Sequence, residues 1–271
     1  MNKIGDGNMA KIINDKYYTP IELAKYCIDK TYEIIGEENI TEIIEPSAGN
    51  GSFSNQLNCI AYDIEPECDG IMKRDFLTTE LEYKKGRLVI GNPPFGSRGN
   101  LAIKFYKHSI KFSDYIAFIL PISQYRNQQR MYEFDLIYSE DLNVRKYSNI
   151  DIHCCFNIYK RPEGSINTKP PSYRLNDVEV VEFRRNGNYV PPNTYDFGMC
   201  TWGNSCGKEI EYIGQYAQEH YIVIKNDKVR DSVLKVCRET DWRNLYPSVS
   251  SAKLQTWKIL KHFKDNIPNI S

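Results

Sequence analysis

Residues 40–53, ITEIIEPSAGNGSF, combine a short strand pattern with a glycine-rich turn. The apolar run in ITEIIEP (40–46) predicts a β-strand. In the turn, Gly49 and Gly51 allow the backbone to bend tightly and to approach a ligand closely. Their spacing is G-x-G, so the dinucleotide pattern G-x-G-x-x-G is absent. In an open α/β sheet, a turn of this kind at the carboxyl end of a strand predicts a ligand-binding loop.

Strands and helices alternate around this turn. Thr19 and Pro20 are favourable residues for the start of a helix, which the apolar spacing extends to residue 35. Further strands are predicted over 59–66, 86–95, 114–121, 151–162, 178–185 and 220–226, and helices over 101–112, 229–242 and 252–264. The alternation in the first half predicts an α/β fold with a mostly parallel open sheet and helices on both faces.

The chain has 271 residues, which suits a large domain with a smaller appendage. We expect a catalytic domain over residues 1–165 and a C-terminal α+β extension over residues 166–271. The proline-rich segment 162–171 is the predicted boundary between them.

Composition excludes several classes of protein. Lys and Arg together number 35, as do Asp and Glu, so the net charge is zero and any contact with a polyanion must be local. The eight cysteines form no C-x-x-C pair, which predicts reduced thiols and no metal site. MNKIGDGNMAKI (1–12) lacks an apolar core, and no apolar run reaches membrane-spanning length. We therefore expect an intracellular protein, in the cytoplasm or nucleoid, with no membrane partner.

Carboxylates follow two more of the predicted strands. Asp63 ends the second strand, where its side chain can accept hydrogen bonds from ribose hydroxyls. Asp75 offers an acceptor for an exocyclic amine, and the Phe76 ring can lie beside an adenine. Together with the glycine turn, these residues predict a pocket for an adenosine with a polar tail. Each feature taken alone is equally typical of a strand, a turn and an ordinary surface acid.

The segment VIGNPPFG (89–96) ends another strand with two consecutive prolines, which fix φ and donate no backbone hydrogen bond. The side-chain oxygen of Asn92 and the backbone carbonyl of Pro93 are both acceptors, and they match the two hydrogens of an exocyclic amine. Phe95 can then stack on the ring that bears the amine. We predict Asn92, Pro93, Pro94 and Phe95 as the catalytic residues.

With these motifs in this order, the sequence resembles the γ-class N6-adenine DNA methyltransferases, which use S-adenosylmethionine (SAM). EPSAGNGSF resembles their motif I and NPPF their motif IV. YYTP, AYDIEP and RDFL resemble motifs X, II and III, while LAIKFYKHS, IAFILP and IHCCFNIYKRP resemble motifs V, VI and VIII. The resemblance covers roughly residues 15–162 and implies a class I, Rossmann-like methyltransferase fold with a seven-stranded sheet.

The resemblance also implies roles for individual residues. The SAM-binding residues would be Thr19, Pro20, Glu45, Pro46, Ala48, Gly49, Gly51, Asp63, Asp75 and Phe76. Phe156 would contact the edge of the target adenine. Arg98 and Lys104 follow NPPF closely and are candidates for contacts with substrate phosphate.

The implied function is methyl transfer from SAM to the N6 amine of a flipped adenine in DNA, with a restriction endonuclease or a second subunit as a possible partner. DNA enzymes of this class more often have Tyr where this chain has Phe95, and some RNA adenine-N6 methyltransferases share NPPF, so RNA stays an alternative substrate. Two further functions stay open, namely a non-catalytic nucleic-acid-binding subunit and a protein-glutamine methyltransferase. The C-terminal extension is a candidate substrate-recognition region.

Overall fold

A computed structural model describes residues 17–148, 150–187, 190–247 and 252–271. The opening segment MNKIGDGNMAKI, from which we predicted that there is no signal peptide, lies outside these residues. The chain divides into two compact units, Met1–Pro171 and Ser172–Ser271. The division falls a few residues after the boundary predicted at residue 165.

The first unit contains a seven-stranded sheet and two α-helices among its described residues. Its elements are α1 (Ile21–Ile35), β1 (Glu42–Glu45), β2 (Ile60–Asp63), β3 (Met72–Lys73), β4 (Arg87–Gly91), α2 (Asn100–Ser109), β5 (Tyr115–Pro121), β6 (Asp135–Tyr147) and β7 (Ile150–Lys160). The strand order is β3-β2-β1-β4-β5-β7-β6. Strand β7 runs antiparallel to its neighbours, β5 and β6, while the other pairs are parallel. The order and direction of the strands confirm the predicted class I, Rossmann-like fold.

The two helices cover opposite faces of this sheet. Because strand side chains alternate in direction, Leu88 and Ile90 pack in one core cluster with α1, while Val89 packs in the other cluster with α2. This arrangement confirms the prediction of helices on both faces. The connection from β1 to β2 is shorter than a usual βα unit, since its described residues form one 3₁₀ turn, Ser54–Gln56, in place of a helix.

Strand β6 was not predicted from the sequence pattern. It lies at the edge of the sheet, and most of its residues are exposed or half-buried. Its pairing with β7 is also interrupted twice by register shifts. An exposed and irregular edge strand has no long apolar run, which is the signal on which the other strand predictions depended.

The second unit is a small α+β structure. A three-stranded antiparallel sheet in the order β8-β10-β9 is formed by β8 (Val178–Arg184), β9 (Phe197–Cys200) and β10 (Gln218–Ile224). Helices α3 (Arg230–Glu239), α4 (Trp242–Leu245) and α5 (Thr256–Asn266) follow. Ile222 of the sheet, Val233 of α3 and Phe263 of α5 share one buried apolar cluster, so this unit has a core of its own.

Two further findings concern membranes and thiols. Among the described residues, no helix combines the length and the apolar character that a membrane crossing requires. All eight cysteines are free thiols, and six of them are buried.

Candidate active site

A cleft in the first unit lies where the carboxyl ends of β1, β2 and β4 meet. Its empty volume is about 1000 Å³, including space that is open to solvent. Because these strands are parallel neighbours, the loops that follow them converge at one edge of the sheet. The glycine turn, the end of β2 and the Asn92–Phe95 segment all line the cleft.

Most of the predicted site residues meet in this cleft. Those that line it are Thr19, Glu45, Pro46, Ala48, Gly49, Asp63, Asp75, Phe76, Asn92, Pro93, Pro94 and Phe95. Pro20 and Gly51 do not line it. Pro20 is an exposed residue that immediately precedes α1. Gly51 has a φ of +81° inside the turn, and its position suits the bend rather than direct contact with a ligand.

The prediction that Phe156 contacts the substrate requires correction. Phe156 lies in β7, is fully buried, and packs in the core cluster that contains Leu23 and Ala24 of α1. It is absent from the lining of the cleft. The strand alternation that turns Cys155 and Tyr159 towards α2 turns Phe156 towards α1, so its ring has a packing role.

Arg98 and Lys104 also lie outside the lining of the cleft, and both are exposed. The backbone carbonyl of Arg98 accepts a hydrogen bond of 3.3 Å from Arg130. Arg130 donates a second bond, of 2.6 Å, to the side-chain oxygen of Asn100 at the start of α2. The loop after β5 is thereby joined to the loop after Phe95.

The orientation of the Asn92 amide is fixed by the segment that precedes α1. Its Nδ2 donates to the backbone carbonyl of Tyr17 at 3.3 Å and to Oγ1 of Thr19 at 3.1 Å. A backbone carbonyl can only accept, so the nitrogen of the amide must face Tyr17. Oδ1 therefore points the other way; it is buried and has no hydrogen-bond partner among the described residues.

The next residue in the chain provides a second acceptor without a donor among the described residues. The backbone carbonyl of Asn92 accepts from the Ser47 hydroxyl at 3.3 Å, whereas no described residue donates to the carbonyl of Pro93. Thr19 is itself held in place, because its carbonyl accepts a bond of 2.7 Å from the Ser52 hydroxyl in the glycine turn. Asn92 thus lines the cleft with a fixed side chain, whose amide oxygen is buried and has no partner among the described residues.

Glu45 is a buried carboxylate with an unsatisfied oxygen. Its side chain is 2% exposed, and Oε2 has no hydrogen-bond partner among the described residues. Burial raises the pKa of Glu45 to about 7, and the nearby charge of Asp63 adds to the increase. A desolvated carboxylate that lines a cleft fits a ligand with a positive charge.

Asp63 connects the glycine turn to the end of β2. Its Oδ2 accepts from the backbone N–H of Gly49 at 2.7 Å, and its Oδ1 accepts from the backbone N–H of Glu65 at 2.8 Å. Each carboxylate oxygen can accept a further hydrogen bond. The residue can therefore hold the turn in shape and still bind a hydroxyl of a ligand.

Asp75 and Phe76 occupy the far wall of the cleft. Oδ1 of Asp75 accepts from the backbone N–H of Leu77 at 2.9 Å and so starts the 3₁₀ turn Phe76–Thr78. Phe76 is almost fully buried and stacks on Phe105, with 5.5 Å between the ring centroids. Its ring is held by the core, and only a small part of it can reach a ligand.

Several lining residues were not singled out from the sequence as site residues. They are Tyr17, Tyr18, Ser47, Asn50, Ser52, Phe53, Ile64, Glu65, Arg74 and Phe105. Most are direct neighbours of predicted residues within the same motifs, and that adjacency was the available signal. Phe105 follows the predicted Lys104 and reaches the cleft from α2, whereas Lys104 itself does not line it.

The charged groups that line the cleft are mostly acidic. Among the described residues, four carboxylates line it, from Glu45, Asp63, Glu65 and Asp75, against one cation from Arg74. An excess of carboxylates in a partly enclosed cleft favours a ligand with a positive charge.

A comparison with models of protein families finds a match that overlaps the residues lining the cleft. Residues 52–179 match the model of the EDM2 methyltransferase-like domain. The match covers slightly less than half of the 271 residues. It includes Asp63, Asp75 and Asn92–Phe95, but begins after Gly49 and Gly51. A search among curated proteins finds no match.

Solved structures similar to this chain include three methyltransferases. A protein from Listeria monocytogenes, described as a class I SAM-dependent methyltransferase, is 12% identical with a TM-score of 0.45; the match covers 59% of this chain and 64% of that one. A protein from Pyrococcus horikoshii, described as an RNA methyltransferase, is 18% identical with a TM-score of 0.40, over 54% of this chain and 87% of that one.

The third is a 23S ribosomal RNA methyltransferase, 12% identical with a TM-score of 0.41, over 57% of this chain and 71% of that one. This chain spans less than two thirds of the Listeria protein. The fold assignment therefore depends on the strand order described above.

Replacing Asp63 by Ala tests its hold on the glycine turn. Hydrogen bonds to a charged group contribute about 1.5–3 kcal/mol, so the Gly49 and Glu65 amides should exchange hydrogen at least about tenfold faster. Hydrogen–deuterium exchange with mass spectrometry over residues 47–67 measures this. Asp69→Ala removes an exposed acid from the next loop and should leave the exchange unchanged. Equal exchange in the Asp63 variant and the wild type would contradict the assignment.

Proposed function

We propose that this protein transfers the methyl group of SAM to the exocyclic N6 amine of an adenine in DNA. The observation that carries the proposal is the corner formed by Asn92 and Pro93. There, Asn92 has a buried Oδ1 with no partner among the described residues, and the next residue, Pro93, has a backbone carbonyl to which none of them donates. Two acceptors on consecutive residues would suit an amine that has two hydrogens to donate.

The rest of the cleft fits SAM as the cofactor. SAM has a positively charged methionine end, which suits the buried carboxylate of Glu45. Asp63 retains acceptor capacity for the ribose hydroxyls, and Asp75 lies where an adenine amine would find an acceptor. When bound, SAM would supply a methyl group already activated by its sulfonium.

Within this proposal, the task of the protein is orientation and charge stabilisation. The lone pair of an aromatic amine is delocalised into its ring, so the nitrogen is a weak nucleophile. Acceptance of both hydrogens by Asn92 Oδ1 and the Pro93 carbonyl would favour a tetrahedral nitrogen and stabilise the positive charge that develops on it. Holding the reacting atoms in line is worth roughly 7–11 kcal/mol.

An adenine must leave its base stack to reach this corner. Flipping costs a few kcal/mol, and stacking on an aromatic ring returns about 1–3 kcal/mol. Phe95 lines the cleft and is half-buried; it packs against both core clusters of the first unit, so only the part of its ring that faces the cleft would be available for stacking. The same stacking serves a base in DNA or in RNA.

Two findings support a methyltransferase over a non-catalytic module. The family match over residues 52–179 concerns a methyltransferase-like domain. The unused oxygen of Asn92 is also a costly feature for a binding scaffold, because a buried acceptor without a partner destabilises the fold by about 1–3 kcal/mol. The resemblance to γ-class enzymes makes DNA the first polymer to test, with RNA as the alternative.

Asn92→Ala should lower methyl transfer by about 10²–10³-fold, the usual loss when one group that stabilises transition-state charge is removed. Its affinity for SAM should stay within about twofold of the wild type. Tritiated methyl transfer, with calorimetry for SAM binding, measures both quantities. Asn58→Ala changes an exposed asparagine outside the cleft and should retain full activity. A fully active Asn92 variant would refute the acceptor role.

The same assay identifies the polymer when duplex DNA, single-stranded DNA and RNA are compared and the products are digested to nucleosides. The expected product is N6-methyladenine in DNA. Incorporation into RNA alone would replace DNA by RNA in the proposal. A methylated glutamine or cytosine would overturn the assignment of the adenine amine.

Thr19→Val should reduce kcat by about three- to tenfold, because it removes one of the two acceptors that orient the Asn92 amide. Thr19→Ser retains the hydroxyl and should restore activity. Steady-state kinetics with varied SAM separate an effect on kcat from an effect on KM. If the Ser and Val variants lose activity equally, the hydroxyl does not orient the amide.

SAM affinity should increase with pH up to about 7 and then level off, because a positively charged ligand favours ionised Glu45 and binding must displace its proton. Glu45→Gln should remove this dependence, while Glu80→Gln, at an exposed position, should preserve it. Calorimetric titrations over roughly one and a half pH units on either side of neutrality measure the affinity.

The raised pKa of Glu45 also predicts how the stability of the free protein changes with pH. The pKa of about 7 in the folded protein exceeds the ordinary value of 4.5, so Glu45 holds its proton more tightly when the protein is folded. Its stability should therefore fall as the pH rises from 4.5 to about 7 and stay level above that. If Glu45→Gln and the wild type show the same pH dependence of both SAM affinity and stability, ionisation of Glu45 does not control SAM binding and the proposal for this residue is wrong.

A further inference from the structure

Three basic residues converge in the second unit around the start of α5. The Lys258 Nζ donates to the backbone carbonyl of Lys253 at 3.4 Å. Arg243 donates to the side-chain oxygen of Asn204 at 3.2 Å, and the backbone N–H of Gly203, which precedes Asn204, donates to the carbonyl of Ala252, which precedes Lys253, at 2.9 Å. Residues 243, 253 and 258 are therefore neighbours, and we call them the basic cluster.

Lys258 is half-buried, and its ammonium lies against two aromatic rings rather than against a carboxylate. Its Nζ lies 4.6 Å from the centroid of the Tyr246 ring and 5.8 Å from that of Trp257. Burial lowers the pKa of Lys258 to about 8, and the charge of Lys253 lowers it further. The residue is also in the first turn of α5, where the helix dipole is positive.

No carboxylate of the described residues compensates this charge. Some cations of the second unit have acidic partners, as Arg230 does with Asp196 and Lys225 with Glu179. Among the ion pairs of the described residues, none includes a member of the basic cluster; Arg243 donates instead to the neutral side chain of Asn204 at 3.2 Å. The first turn of α5 has no acidic residue either. A half-buried lysine without an acidic partner, with the exposed cations Arg243 and Lys253 beside it, favours the binding of an anion.

An exposed aromatic ring lies beside the cluster. Trp202 forms a β-bridge with Lys253, and its side chain is 38% exposed. Lys and Arg provide charge for phosphates, and an exposed indole provides a surface on which a base can stack. Phosphates next to unstacked bases occur together in single-stranded nucleic acid.

We propose that the basic cluster and Trp202 bind a single strand of nucleic acid, with the phosphates at Arg243, Lys253 and Lys258 and a base on Trp202. The choice of a nucleic acid over another polyanion rests on the proposed function of the first unit. The binding itself does not depend on methyl transfer, so the two proposals can fail separately.

The test uses the full chain with Asn92→Ala, so that turnover does not alter the probe. Fluorescence anisotropy measures the affinity for a fluorescein-labelled single-stranded oligonucleotide, as DNA and as RNA, over a series of salt concentrations. The variant R243Q/K253Q/K258Q removes three charges and keeps long side chains. The control K208Q/K228Q/K235Q removes three exposed charges elsewhere in the second unit.

The cluster variant should bind at least about tenfold more weakly than the control variant. For a single strand, each lost phosphate contact lowers the slope of log affinity against log salt by about 0.7, so the slope should fall by up to about 2. Trp202→Ala should weaken binding by about tenfold and leave the salt slope unchanged, because stacking releases no counterions.

Any of three results would overturn the proposal. The first is equal binding by the cluster variant and the control variant. The second is equal binding by the Trp202→Ala variant and by the Asn92→Ala protein from which it is made. The third is displacement of the labelled oligonucleotide by poly-glutamate as effectively as by the unlabelled strand. Such a result would indicate a general polyanion site, which does not require bases. Circular dichroism of each variant shows whether weaker binding comes from unfolding.

Discussion

The hydrogen bond from Asn92 Nδ2 to the backbone carbonyl of Tyr17 is the contact on which the candidate site depends. A carbonyl oxygen accepts and never donates, so this bond decides which end of the amide is the nitrogen and which is the oxygen. The segment around Tyr17 precedes α1, whereas Asn92 follows β4, far along the chain. Only the folded sheet brings them together, and the free Oδ1 is a product of tertiary structure.

The alternation of strands and helices along the chain was enough to predict most of the fold. Buried strands such as β4 and β5 contain continuous apolar runs, and their partners at the centre of the sheet follow from the parallel topology. Strand β6 lacked that signal because one side of it is at the edge of the sheet. The short strand β9 was also missed, since it lies in a segment rich in Gly, Pro and aromatic residues.

The sequence predicts which residues meet in the cleft when they lie at strand ends, but not when the direction of a side chain within an element decides. Asp63 and Asn92 line the same cleft because loops after parallel strands share one edge of the sheet. Phe156 was misplaced because the motif does not reveal which face of β7 its ring occupies. The unbonded oxygens of Glu45 and Asn92 were invisible in the sequence, since they depend on which groups the fold leaves without a partner.

The most direct test is a crystal structure with S-adenosylhomocysteine and adenosine bound together. We expect the adenosine amine within about 3.0 Å of Asn92 Oδ1, facing the cofactor sulfur, with Asn92 Nδ2 still bonded to Tyr17. A sulfur atom at the opposite end of the cleft, or an Asn92 oxygen bonded to the protein itself, would contradict the proposed geometry.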